Sequence, residues 1–310
     1  MTQISSDAPR CSAWARQADI DPIGTAGTYR GVVCVEWPLP WPRDPAAVVG
    51  LGGAAAVLEP LGVRLQLLRP HGLEQHRATV LSFRRDDGFF RRFDRLETRV
   101  DAIDVAETVV SLARGELSHE TVSEVVDVLV CTHGSRDVCC GSSGTRLAAD
   151  LNATQGGDSA ALPDSVRVWS TSHLGGHRFA PTAIVMPSGT CWAYLDRETL
   201  RRIITRSGGL EHVLAAYRGC IGIGSRRAQA LERVAFRDTG WSWLDHWRQG
   251  RDTGGNTVEI DALSAGGHRF TWSGLVVDGR ELPIPVCREP ISVASKSEHE
   301  LVVSAYERRG

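Results

Sequence analysis

Lysine is almost absent from this 310-residue sequence: Lys296 is the only one, and every other basic residue is arginine. We interpret the skew as codon bias and give it no functional weight. A basic excess is also absent, since the formal net charge is -2. Nucleic-acid-binding domains are usually basic, so we do not expect a nucleic-acid partner.

Long hydrophobic runs are missing as well. The longest apolar stretch, residues 46–58, is broken by three glycines, and a membrane-spanning helix needs about 18 apolar residues. Residues 1–16 are polar and lack the apolar core of a secretory signal. The sequence therefore predicts a cytoplasmic protein without a membrane partner, a compartment in which thiols stay reduced.

Cysteines are sparse: 8 in 310 residues are too few for a disulfide scaffold. A C-x-x-C pair is absent, and the adjacent Cys139 and Cys140 would form only a strained vicinal disulfide. This spacing does not favour a thiol-dependent reductase. The position of each cysteine, rather than their number, has to carry any chemistry.

Two similar halves follow one another along the chain. Alternating or continuous apolar runs predict strands in the first half at residues 31–36, 63–68, 78–83 and 89–96, and helices at 46–58 and 105–113. The second half predicts strands at 126–130, 166–169, 182–186 and 191–195, and helices at 145–151, 197–206 and 210–217. Both read β-α-β-β-β-α, the order of a thioredoxin-like unit, which indicates an α/β fold with an internal duplication.

The length suits about two domains, and we predict three segments. Residues 1–116 form a degenerate thioredoxin-like half without a metal site, residues 117–237 a thioredoxin-like domain with the Cys and His motifs, and residues 238–310 a Trp-rich segment with a small β tail. We expect Trp241, Trp243 and Trp247 to lie in the core, because large aromatic side chains most often contribute to buried apolar packing.

Two motifs follow predicted strands of the second half. The first is CTHGSRDVCC, which begins at Cys131 and ends at Cys140; the second is SHLGGHRF, residues 172–179, with His173 and His177 four positions apart. The two glycines between these histidines would each cost a helix about 1 kcal/mol. We therefore predict a tight loop whose glycines let the backbone pass close to a bulky group.

The spacing of these residues leaves three interpretations open. Zinc sites usually separate paired cysteines by two to four residues, whereas eight residues separate Cys131 from Cys140. An iron–sulfur centre fits the same donor types. Free cysteines are also often simply buried, so a site without metal is the third interpretation.

At these residues the chain resembles the sucrase/ferredoxin-like family, a branch of the thioredoxin-like ferredoxins. The matching pieces are the two motifs, the Tyr217-Arg218-Gly219 triplet, and the upstream segments DPIGTA and VEWPLPWPRD. The likeness covers about residues 11–235. The sucrase activity in the family name is not expected, because no paired carboxylates stand in a glycosidase context.

The resemblance implies a [2Fe–2S] cluster whose ligands are Cys131, Cys140, His173 and His177. It makes Arg136, Asp137 and Arg178 candidates to tune the cluster or orient its ligands, with a loop salt bridge as the plain alternative for Arg136 and Asp137. Cys139 adjoins a ligand position and could compete for it. The other five cysteines, Cys11, Cys34, Cys191, Cys220 and Cys287, are expected to be bystanders.

We therefore expect one-electron transfer or redox sensing. Histidine ligands raise the reduction potential of a cluster. If the second ring nitrogen takes up a proton with each electron, the reduction potential would fall by about 59 mV for each unit of rising pH. The alternatives are a Cys₂His₂ zinc module and a thiol-dependent reductase.

Dinucleotide fingerprints are absent, so electrons should come from an unidentified partner protein. The first half would then serve as a docking surface or a structural buttress.

Overall fold

The computed structural model describes residues 10–71, 76–117, 124–153, 162–287 and 289–310, and within them the chain forms seven α-helices and thirteen strands. The helices are α1 (Cys11–Gln17), α2 (Gly52–Leu58), α3 (Val105–Arg114), α4 (Thr145–Ala153), α5 (Arg197–Thr205), α6 (Glu211–Ala215) and α7 (Arg226–Thr239). The strands are β1 (Gly31–Glu36), β2 (Val63–Leu68), β3 (Arg77–Arg84), β4 (Asp94–Asp101), β5 (Val126–Cys131), β6 (Val166–Thr171), β7 (Ala183–Met186), β8 (Thr190–Trp192), β9 (Tyr217–Cys220), β10 (Trp247–Gly254), β11 (Thr257–Leu263), β12 (Arg269–Pro283) and β13 (Ser297–Arg309).

One mixed sheet contains both halves, with the strand order β4-β3-β1-β2-β6-β5-β7-β8-β9. In the first half β1 is parallel to β2 and antiparallel to β3; in the second half β5 is parallel to β6 and antiparallel to β7. The halves meet where β2 and β6 pair antiparallel through Leu68 and Thr171. The predicted α/β class and the repeated β-α-β-β-β-α order are confirmed.

The core divides along the two faces of the first half. One face of β1 to β3, with Val33 and Leu67, packs against α2 and α3 in a separate cluster. The other face, with Val32 and Phe83, belongs to the main cluster that includes β5 and β7 of the second half. The alternation of β-strand side chains thus gives the first half its own helical cover and also joins it to the second half.

The C-terminal segment forms the predicted β appendage, an antiparallel sheet in the order β10-β11-β12-β13. Helix α7 packs between this sheet and the main body; its N-terminus is capped by Ser225, whose side chain accepts from the Ala228 N–H. Trp243 is buried against Trp272, but Trp247 is 46% exposed. The expectation of a core role therefore holds for Trp243 and is wrong for Trp247.

Some predicted elements differ from the observed ones. Residues 46–58 form a short 3₁₀ turn, Pro45–Ala47, followed by α2, because Gly50 adopts a φ of 90° between them. The strand predicted at residues 89–96 is shifted to β4, since Phe90 and Phe93 are buried as loop residues rather than alternating along a strand. None of the helices in these described ranges is long and apolar enough to cross a membrane.

Candidate metal and thiol site

The first motif begins at the end of β5. Cys131 is the last residue of that strand and is fully buried. A π-helical turn, Cys140–Gly144, then leads into α4, so Cys140 lies at the start of a helical segment. A side chain at Gly144 would collide with the carbonyl oxygen of Cys131. The glycine therefore lets the turn fold back over the end of the strand.

The second motif is a tight loop, as predicted. Gly175 and Gly176 have φ values of 82° and 69°, a region that residues with a Cβ rarely adopt. The bulky group next to them is Arg218, whose Nη2 would lie 2.5 Å from a Cβ at Gly176. Arg218 is buried and donates hydrogen bonds to the carbonyl oxygens of Gly175 (3.1 Å) and Thr25 (2.6 Å). The guanidinium thereby fixes the loop between the two histidines.

Asp137 stands between these two histidines. His173 Nδ1 lies 2.8 Å from its Oδ2, and His177 Nδ1 lies 3.7 Å from its Oδ1. All three side chains are at most 15% exposed. One buried carboxylate thus faces both imidazoles, although Asp137 and His173 are more than thirty positions apart in the sequence.

One group of donors contains Cys131, Cys140 and His173. A hydrogen bond from Cys140 lowers the pKa of Cys131 well below 9.0, with a further contribution from His173, although burial opposes the shift. The same hydrogen bond raises the pKa of Cys140. Burial would lower the pKa of His173, but Asp137 and Cys131 raise it. The two cysteines and His173 therefore interact directly and shift one another's pKa values.

A second group contains Cys139, Cys11, Cys287 and His177. Cys287 Sγ lies 3.5 Å from Cys11 Sγ, 3.6 Å from Cys139 Sγ and 3.4 Å from His177 Nδ1. Hydrogen bonds with Cys11 and Cys287 lower the pKa of Cys139. Burial would lower the pKa of His177, but hydrogen bonding to Cys139 and Cys287 raises it to about 10. The adjacent Cys139 and Cys140 therefore belong to different groups.

The four predicted ligands thus lie in one neighbourhood but do not share the same closest partners. Cys131, Cys140 and His173 contact one another, whereas His177 lies against Cys287 and Cys139. Asp137 connects the two sets, because its carboxylate oxygens face both His173 and His177.

The predicted neighbours of the ligands have different surroundings. Arg136 is exposed and donates to the carbonyl oxygen of Arg43 at 2.8 Å, so it fixes the loop to the first half. Arg178 is buried, pairs with Glu298 of β13 and has its guanidinium 4.3 Å from the centre of the Phe179 ring. Burial lowers the pKa of Arg178 to about 10. Only Asp137 of these three faces the imidazoles.

Sequence reasoning missed several residues of the site. Cys11 and Cys287 were expected to be bystanders, and Arg218 was noted only as part of a triplet. His133 was also missed: it is buried, and its Nδ1 accepts a hydrogen bond from the His173 N–H at 3.1 Å. The sequence offered a signal for two of these residues. His133 lies within the CTHGSRDVCC motif, and Arg218 lies within the Tyr217-Arg218-Gly219 triplet. The sequence carries no local signal that brings Cys11 to Cys287.

The residues around Asp137 fit a bound metal or cluster. His133 Nε2 is buried and has no hydrogen-bond partner within the described part of the chain, and the contact of 2.8 Å between His173 Nδ1 and Asp137 Oδ2 is not aligned as a hydrogen bond. Buried polar atoms are rarely left unsatisfied, and a bound ion is one explanation where they are. Thiols and imidazoles are also the donors that iron–sulfur and zinc sites use. The types of donor and the buried atoms without a well-aligned partner are therefore both consistent with a bound metal or cluster.

Comparison with known proteins supports the resemblance seen in the motifs. The sucrase/ferredoxin-like family matches residues 22–219, nearly two thirds of the chain and the whole of both motifs. No curated protein and no solved structure matches the chain significantly. Cys11 and Cys287 lie outside the matched residues, whereas Cys131, Cys140, His173 and His177 lie inside them. The chain belongs to the sucrase/ferredoxin-like family.

Proposed function

We propose that Cys131, Cys140, His173 and His177 hold a [2Fe–2S] cluster through which the protein transfers or senses single electrons. The observation that carries the proposal is the pair of imidazoles that face one buried, incompletely hydrogen-bonded carboxylate, Asp137, beside a low-pKa cysteine. Family membership supports the same donor set.

The ligand set explains why histidines would be used. A cluster held by two thiolates and two imidazoles carries less negative charge than one held by four thiolates, so it accepts an electron more readily. Asp137 lies 2.8 Å from His173 Nδ1 and orients that imidazole, as carboxylates commonly do for metal-bound histidines. Whether the potential falls with rising pH stays a prediction of the sequence.

The buried charge of Arg218 also favours electron uptake. Its guanidinium is close enough to Cys131 and Cys140 to interact electrostatically with both thiols. A buried cation stabilises added negative charge more strongly than an exposed one, because water screens it less. Arg218 therefore both fixes the histidine loop and favours the reduced state.

A thiol-dependent reductase is less well supported. The candidate nucleophile, Cys139, has a lowered pKa but is only 1% exposed. Reactive cysteines in such enzymes are low in pKa and also accessible to substrate. Cys139 satisfies the first requirement and not the second. We therefore assign electron transfer, with a separate protein as electron donor or acceptor, rather than thiol catalysis.

Anaerobic purification with metal analysis tests the proposal. We expect a brown protein with absorption above 400 nm and about two irons and two sulfides per chain. Cys140→Ala and His173→Ala should lose the colour. Cys191→Ala is the matched control, because Cys191 is a buried strand cysteine outside both donor groups. A colourless anaerobic preparation with zinc in these four ligands would contradict the proposal and favour the zinc module.

A further inference from the structure

Three cysteines from distant segments converge beside the proposed cluster site. Cys11 begins α1, Cys139 precedes the π-helical turn, and Cys287 lies in the connection between β12 and β13. Cys287 is the central member, with its sulfur 3.5 Å from Cys11 Sγ and 3.6 Å from Cys139 Sγ. Cys11 and Cys139 belong to the main core cluster, and within it both sulfurs lie close to that of Cys287.

The neighbouring imidazole completes a set of four donors. His177 Nδ1 lies 3.4 Å from Cys287 Sγ. The ligand atoms of Cys11, His177 and Cys287 all lie within 4.8 Å of one another. Three thiols and one imidazole form a Cys₃His set, which is a common composition of zinc sites.

Three separations among these atoms, all measured from Cys287 Sγ, are close to those of a tetrahedral zinc site. Zinc–sulfur bonds of about 2.3 Å place two thiolates about 3.8 Å apart in a tetrahedron. The observed sulfur separations of 3.5 and 3.6 Å are slightly shorter. A zinc–nitrogen bond of about 2.05 Å predicts a sulfur–nitrogen separation of about 3.6 Å, and the observed separation is 3.4 Å. Cys139 Sγ lies near Cys287 Sγ but not within 4.8 Å of all three other donors, so the Cys139 side chain would have to turn toward them to complete the tetrahedron.

The three cysteines outside both donor groups have different surroundings from Cys287. Cys34, Cys191 and Cys220 each lie within a strand and are fully or almost fully buried. Such positions suit cysteine as a small apolar side chain. Cys287, in contrast, lies in a half-buried connection outside any strand and still faces two sulfurs and a ring nitrogen.

We propose that Cys11, Cys139, Cys287 and His177 form a second site, which binds Zn²⁺ or a similar thiophilic cation. The ion fastens α1 and the β12–β13 connection to the core of the second half. His177 is common to both sites, and an imidazole has two ring nitrogens that can each take a ligand. The inference does not require the iron–sulfur cluster, because His177 is the one donor that the two proposed sites share and the three cysteine donors of the second site are not cluster ligands.

Metal analysis of the full-length protein and three variants tests the second site. Zinc and iron are measured after anaerobic purification of the wild type, Cys287→Ser, Cys131→Ser and the control Cys191→Ala. The metal-free protein is then titrated with Co²⁺, whose thiolate complexes are coloured. Cys287 is chosen because it is only half-buried, so its substitution should not prevent folding.

We expect about one zinc per wild-type chain. Cys287→Ser should lose that zinc, bind Co²⁺ about 100-fold more weakly or worse, and keep its iron; Cys131→Ser should do the reverse. Co²⁺ binding that is unchanged in Cys287→Ser would overturn the second site. Loss of iron together with zinc in folded Cys287→Ser would also overturn it, by placing Cys287 in the cluster site. A wild type with iron but neither zinc nor Co²⁺ binding rejects the second site alone.

Discussion

The two halves of the large sheet have the same strand order but different chemistry at the end of their first strand. In the first half β1 ends at Glu36, which pairs with Leu68; in the second half β5 ends at Cys131, which pairs with Thr171. Leu68 and Thr171 pair with each other at the junction. Glu36 and Cys131 therefore occupy equivalent positions, and a carboxylate stands where the second half has a thiol.

In the first half, the side chain at this position stabilises the neighbouring backbone. Glu36 accepts hydrogen bonds from the backbone N–H groups of His71 (3.0 Å) and Thr79 (2.9 Å), so both carboxylate oxygens are occupied. The strand ends border an open groove of about 1260 Å³ instead of a closed set of sulfur and nitrogen donors. The two halves thus keep the same strand order with different side chains at this position.

The first half nevertheless supports the site of the second. Arg64 and Gln66 of β2 donate hydrogen bonds to the carbonyl oxygen of His173, at 2.5 and 3.3 Å. In the loop after β1, the carbonyl oxygen of Trp41 accepts from Ser135 Oγ at 3.0 Å. Of the two roles suggested by the sequence, these contacts favour the structural buttress.

Breaking the buried ion pair between the halves should have the largest effect. Asp127 of β5 is fully buried and accepts from Arg95 of β4 at 2.7 Å and from Arg167 of β6 at 2.8 Å. Asp127→Asn should lower the free energy of unfolding by about 3–5 kcal/mol, because Arg95 and Arg167 lose their buried partner and keep the partly exposed Glu97. Urea unfolding measures the loss. The control Asp87→Asn removes an exposed pair with Arg30 and should cost less than about 1 kcal/mol; equal losses would contradict the interpretation.

A comparison of two glycine-to-alanine variants separates the cost of a positive φ from the cost of a clash with Arg218. Gly176→Ala should cost about 2–5 kcal/mol, from a positive φ and overpacking against the buried guanidinium, and should remove the iron of the proposed cluster. Gly50→Ala in the first half is the matched control, because Gly50 has a φ of 90° but no neighbouring atom within 4 Å of a Cβ. It should cost only about 1–2 kcal/mol and leave the iron unchanged. Iron retained in folded Gly176→Ala would show that the loop tolerates displacement.

The buttress role of the first half is tested at β2. Gln66 is buried; it donates to the His173 carbonyl, and its side-chain oxygen accepts from Ser172 Oγ at 2.6 Å. Gln66→Ala should lower the free energy of unfolding by about 1–3 kcal/mol and cause partial loss of iron, although the residue is not a ligand. Glu59→Ala, an exposed position in the same half, should change stability by less than about 0.5 kcal/mol. Full iron content in Gln66→Ala would limit the first half to a stability role.

The smallest effect concerns pH. Burial would raise the pKa of Glu97, but ion pairs with Arg167 and Arg95 lower it below 4.5. Ionised Glu97 therefore stabilises the fold above pH 4.5, and this contribution is lost as the pH falls through the folded-state pKa. Glu97→Gln should be less stable than wild type at pH 7 by less than about 1 kcal/mol, since Glu97 is one-third exposed. The difference should shrink as the pH falls below 4.5; a constant difference would exclude titration of Glu97 as its cause.

Several features of the fold could be predicted because they depend on local sequence. The β1 and β2 boundaries match the apolar runs, since a buried strand requires them. The histidine loop was predicted from Gly175 and Gly176, because adjacent glycines disfavour a helix. In contrast, the polar strand β4 was misplaced, as an edge strand with alternating exposure carries a weak apolar signal.

The sequence by itself determined the family, the repeated strand order and the two motifs, because each is encoded within a short continuous segment. The tertiary structure alone decided which cysteines meet. Cys11 and Cys287 are 276 residues apart, and only the packing of α1 and the β12–β13 connection on the second half brings their sulfurs together. It also separated Cys139 from Cys140, because consecutive residues in a helical turn point in different directions.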